Sequence, residues 1–95
     1  MIKHLDIKVV GQVVGVNFRA SAKQQAEALG LGGFAKNVSA NEVRIEVEGE
    51  DAAVAEFVNW CRAGNLWSKV EALKIQEGPL KNLMEFEILR GDYES

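Results

Sequence analysis

The chain has 95 residues, 47% of them apolar, with a formal net charge of -3 and a sequence pI near 5.1. That length fits one small domain over residues 1–95, and the acidic balance argues against a nucleic-acid binder, which needs a clustered basic surface. No apolar run approaches the roughly 20 residues of a membrane span, Cys61 has no partner for an internal disulfide, and one His with one Cys cannot build a zinc site. The start, Met1 to His4, runs directly into a strand pattern, so no signal peptide is expected. A lone cysteine suits a reducing, cytoplasmic setting, and a monomer is expected at this size.

Leu5, Ile7 and Val9 alternate with Asp6 and Lys8 and predict a first strand. A glycine-punctuated loop follows, and a helix is expected over 18–29, with Ala22, Ala26 and Leu29 at helical spacing and Asn17 as N-cap. Gly30, Gly32 and Gly33 stop it. Residues 34–38 read as a second strand, and 39–42 as a hairpin turn. Val43, Ile45 and Val47 then alternate with Arg44, Glu46 and Glu48, which places both glutamates on the wet face of a third strand. A second helix opens at Gly49-Glu50-Asp51 and carries the stripe Ala53, Val54, Phe57, Val58 and Cys61. Trp60 and Trp67 read as core and edge packing, and Cys61 as a small buried apolar residue. Val70, Leu73 and Ile75 suggest a fourth strand, and Phe86, Ile88 and Met84 a fifth. The order strand, helix, strand, strand, helix, strand is the α+β, ferredoxin-like (βαββαβ) sandwich, an antiparallel sheet with two helices on one face.

The stretch Gly11-Gln12-Val13-Val14-Gly15-Val16-Asn17-Phe18-Arg19 is where chemistry is expected. A loop running from a strand into a helix can turn backbone N–H groups onto an anion, with the positive end of the helix behind them. Arg19 adds a planar fork that fits a phosphate. As a cation at a helix N-terminus it opposes the dipole, which points to an anionic partner nearby. Gly15 is followed by Val16-Asn17, not by Lys and then Ser or Thr, so the nucleoside-triphosphate loop is excluded. By itself a glycine pair ahead of a helix is more often a tight turn, and an asparagine at a strand end is more often a cap.

Together with Ala26, Leu29-Gly30 and Gly33-Phe34-Ala35-Lys36-Asn37, the stretch resembles the acylphosphatases. The resemblance continues through Val43, Glu48-Gly49 and the closing Phe86-Glu87-Ile88. It implies hydrolysis of an acyl phosphate to a carboxylate and inorganic phosphate, with no metal and no cofactor. It implies that Arg19 binds the phosphate, that Asn37 positions the attacking water, and that Val13, Val14, Gly15, Val16, Asn17 and Phe18 offer backbone N–H groups. Val14 stands where the family usually has glutamine, Asn41 replaces a turn glycine, and 65–68 lacks the family's frequent proline. A tail over 91–95 extends past the usual end and is expected beside the site. A rival reading is a non-catalytic phosphate- or anion-binding interaction domain of the same fold. An RNA-binding module is disfavoured, because the strand 43–49 carries no aromatic residue and two glutamates. The partners expected are therefore a small-molecule acyl phosphate and its phosphate product, with no nucleic acid and no membrane.

Overall fold

The structure, a computed structural model, describes residues 1–91. Its elements are β1 (Ile2–Gln12), α1 (Phe18–Ala28), β2 (Gly32–Ser39), β3 (Glu42–Glu50), α2 (Asp51–Ala63), β4 (Lys69–Gly78) and β5 (Phe86–Ile88). They follow the expected ferredoxin-like order, and the strands lie side by side as β4-β1-β3-β2-β5. The four long strands pair antiparallel. The three residues of β5 add a parallel edge on β2, so the sheet is mixed there. Met84 lies outside that strand and is exposed.

Alternation decides which side of the sheet is dry. Leu5, Ile7 and Val9 of β1 face the same way as their partners Val47, Ile45 and Val43 of β3. The helices cover that side with Phe18, Ala22 and Ala26 from α1 and with Val54, Phe57 and Cys61 from α2. Their spacing of three and four residues keeps each set on one helical stripe. Burying a phenylalanine of this kind stabilises by about 1.5–3 kcal/mol. Helix α1 lies over β2 and β5, and α2 lies over β1, β3 and β4. Edge strand β4 contributes Val70 and Leu73 to the core and leaves Lys69, Glu71, Lys74 and Glu77 exposed, charges that discourage edge-to-edge pairing.

The opposite side of the sheet is not uniformly wet. Glu46 and Glu48 are each only 5% exposed, which corrects the expectation of a solvated face. The reason is the 79–85 segment between β4 and β5, which crosses that side. The backbone N–H groups of Lys81 and Leu83 donate to Glu48 at 2.7 and 2.9 Å, and Lys81 Nζ donates to Glu46 at 2.8 Å. The buried His4 ring lies between the glutamates, its Nδ1 2.9 Å from Glu48 and its Nε2 3.0 Å from Glu46. Beside them, the Arg44 guanidinium holds the Asp6 carboxylate through both oxygens. Burial raises the Glu48 pKa. The Lys81 N–H, the His4 ring and the Leu83 N–H outweigh it and hold the carboxyl below its ordinary value.

Candidate active site

The expected loop is clamped at both ends. At its entry β1 bulges against β4 between Val10 and Gly11. Gly11 has φ 144° and packs so closely on β4 that a Cβ would collide with the Lys69 carbonyl. Val13 and Phe18 are both 1% exposed and anchor the loop in the core. The Phe18 ring lies 5.2 Å from Trp60, which in turn stacks 6.0 Å from Phe57. Trp60 therefore packs as expected, and it carries the start of α1.

Between those anchors the backbone turns left-handed twice, at Gly15 (φ 79°) and Asn17 (φ 64°). Alternating hands turn successive peptide planes, which is how a loop gathers N–H groups into a concavity. Asn17 occupies the N-cap position, yet its side chain makes no cap bond. This departs from the expected cap: an N-cap side chain works from an extended backbone, not a left-handed one. The Asn17 carbonyl instead accepts from the Ser21 N–H at 3.1 Å and the Ser21 hydroxyl at 2.9 Å.

Val13, Gly15, Asn17, Phe18 and Arg19 line one cleft of about 240 Å³ with Ala20 and Ile88. Val14 and Val16 lie outside this lining and pack half-buried against the core. Arg19 is half-buried in the first turn of α1, where no acidic residue stands, and it makes no ion pair among the described residues. Its charge is available to a ligand.

Asn37 does not line that cleft, and the sheet relates the two. Ile88, which lines the cleft, is the β5 partner of Ala35, and Asn37 follows two residues along β2 on the same face. Its partner across the sheet is Val43, a core residue. Asn37 is 1% exposed, and among the described residues neither its Oδ1 nor its Nδ2 has a hydrogen-bond partner. Leaving such a group unpaired costs about 1–3 kcal/mol, so the position is one no stability argument explains. Gly91 passes so near that a Cβ there would overlap the Asn37 carbonyl. The rest of the expected tail, 92–95, lies outside the described residues.

One residue that sequence reasoning did not single out, Asn65, completes the surroundings. Asn65, in the connection after α2, donates from Nδ2 to the Val16 carbonyl at 2.9 Å and to the Ser21 hydroxyl at 3.1 Å. Trp67 is 64% exposed and borders a groove with Gly15, Val16 and Asn17, in keeping with a place at the edge of the packing. Cys61 is fully buried, and burial pushes its thiol up to about 12, which keeps it inert. Among the described residues no group of three His, Cys, Asp or Glu side chains is placed to hold a metal ion, and no helix is long and apolar enough to cross a membrane.

A family model described as Acylphosphatase matches residues 5–88. An acylphosphatase of a Nocardioides species is 38% identical over 82 residues, which cover 86% of this chain and 83% of that one. The acylphosphatase of Anaeromyxobacter dehalogenans is 41% identical over 83 residues, covering 86% and 89%. The crystal structure of acylphosphatase from Bacillus subtilis is similar with a TM-score of 0.88 at 32% identity, over 94% of this chain and 99% of that chain.

Proposed function

The chain belongs to the acylphosphatase family, and from that premise we propose how its residues divide the hydrolysis of a carboxyl–phosphate anhydride. The enzyme is a hydrolase acting on acid anhydrides, with an acyl phosphate as substrate and phosphate as product. Backbone N–H groups of the 13–18 loop, from Val13, Val14, Gly15, Val16, Asn17 and Phe18, receive the phosphoryl oxygens at the positive end of α1. The Arg19 guanidinium neutralises the charge that spreads over those oxygens as the reaction proceeds. The Asn37 amide holds a water in line with the bond to be broken.

The water oxygen bonds to phosphorus as the bond from phosphorus to the acyl oxygen breaks. The leaving group departs as a carboxylate, a weak base that needs no proton from an acid. The water's proton passes to a phosphoryl oxygen, which completes inorganic phosphate. Positioning and charge stabilisation supply the catalysis, as phosphoryl transfer requires. The scheme uses no metal and no cofactor. The reading extends to a cytoplasmic monomer without nucleic-acid or membrane partners, and the net charge of -3 supports its nucleic-acid part.

The observation that carries this reading is the buried Asn37 amide without a partner among the described residues. Its test is hydrolysis of benzoyl phosphate in EDTA, with inorganic phosphate as inhibitor. Arg19→Ala is expected to lose both turnover and inhibition. Asn37→Ala is expected to keep inhibition while kcat falls by about 10²–10³. A fully active Asn37→Ala removes the water-positioning role. Absent turnover with phosphate binding retained in the unaltered protein leaves an anion-binding domain.

A further inference from the structure

We infer that Asn65 is a positioning residue for the phosphate loop, a role that rests on the site assignment above. The Val16 carbonyl accepts from Asn65 Nδ2 at 2.9 Å, across 49 residues of chain. The same amide donates to the Ser21 hydroxyl at 3.1 Å, and that hydroxyl donates to the Asn17 carbonyl at 2.9 Å. One side chain thus holds two consecutive carbonyls, the first directly and the second through Ser21.

In a trans peptide the C=O and the next N–H point to opposite sides of the chain. Fixing the Val16 carbonyl therefore fixes the Asn17 N–H, and fixing the Asn17 carbonyl fixes the Phe18 N–H. The Val16 carbonyl is held toward the α2–β4 connection, so the Asn17 N–H faces away from it; the Asn17 carbonyl points along α1 to Ser21, which aims the Phe18 N–H off the N-terminal end of the helix. Asn17 and Phe18 line the cleft beside Arg19. The Asn17 carbonyl already takes the first bond of α1 from the Ser21 N–H, whereas the Val16 carbonyl lies between the left-handed Gly15 and Asn17, ahead of the helix, so it is there that an outside clamp has something to decide.

The clamp is itself rigid. Asn65 Oδ1 accepts from the Trp67 N–H at 3.2 Å, and the Asn65 N–H donates to the Ser68 hydroxyl at 2.9 Å. The Ser68 N–H returns to the Asn65 carbonyl at 3.3 Å. A loop that binds through its backbone needs such external support, because its own side chains do not aim the donors.

The test measures inhibition by inorganic phosphate, the KM for benzoyl phosphate, kcat and Tm for Asn65→Ala, Asn65→Asp and Ser21→Ala, with Arg19→Ala as control. Asn65→Ala is expected to raise the phosphate inhibition constant and KM together by about tenfold, the worth of one well-placed hydrogen bond. Asn65→Asp is expected to raise them further, since it loses the donors and adds a negative charge near the anion. Ser21→Ala is expected to give a smaller rise, because the Ser21 N–H still holds the Asn17 carbonyl. A lowered Tm with the inhibition constant within about twofold of the unaltered protein makes Asn65 a brace for the fold only and overturns the inference. If Asn65→Ala does not fold, an inhibition constant in Asn65→Asp within about twofold of the unaltered protein overturns it equally, because that variant has lost the donors to Val16 and Ser21. Arg19→Ala separates the two levels: if it loses phosphate while Asn65→Ala keeps it, only the positioning role falls. If Arg19→Ala keeps phosphate, the site assignment falls with it.

Discussion

Two buried polar groups lie on opposite sides of one sheet and obey opposite rules. On the side away from the helices, His4, Glu46 and Glu48 form a closed set in which each ring nitrogen and both glutamates have partners. On the helix side, Asn37 is as deeply buried and has none among the described residues. Folding alone accounts for the first set, which ties the 79–85 segment across the sheet. It does not account for the second, where a polar side chain destabilises the fold it sits in. Burial of a polar residue says little about function; whether its hydrogen bonds close within the chain says much more. The Arg19 cation, without an acidic partner among the described residues and beside a helix N-terminus, follows the pattern of Asn37.

Breaking the closed set is expected to have the largest effect on stability. His4→Leu leaves two buried carboxylates without the ring between them and should destabilise by about 3–5 kcal/mol. Urea unfolding checks it, and kcat measured well below Tm should stay near that of the unaltered protein. Acid acts on the same set with a defined sign. Glu48 has a folded pKa below its ordinary value of 4.5, so its stabilisation is complete above that value. It is lost as pH falls through the lowered pKa, because the unfolded chain then binds the extra proton. Unfolding free energy between pH 7 and the acid limit should show this fall, and Glu48→Gln should flatten it. The smallest effect is expected at the loop. Asn17→Gly removes a left-handed non-glycine residue whose side chain makes no cap bond, and stability should change by less than about 0.5 kcal/mol.

The sequence carried the helix-facing side well. Val43, Ile45 and Val47 announced their strand by alternation, and Gly11 to Arg19 announced a loop entering a helix. Alternation reports which face a side chain takes, and it is silent on what later covers that face. Glu46 and Glu48 were therefore misread, since the 79–85 segment that buries them has no periodicity to read. Asn65 was missed for a related reason: its contact with Val16 spans 49 residues and serves a backbone carbonyl, which leaves no mark in local pattern. The parallel pairing of β5 was hidden by its length of three residues.

Asn37→Leu bears most directly on the contrast between the two sides, with kcat and Tm measured on the same preparation. The replacement keeps the branching and the number of side-chain heavy atoms, with bulkier methyl groups at the ends, and deletes both polar atoms. If Asn37 serves the reaction and not the fold, kcat falls by about 10²–10³ while Tm stays level or rises. Unchanged turnover with a lower Tm contradicts the account.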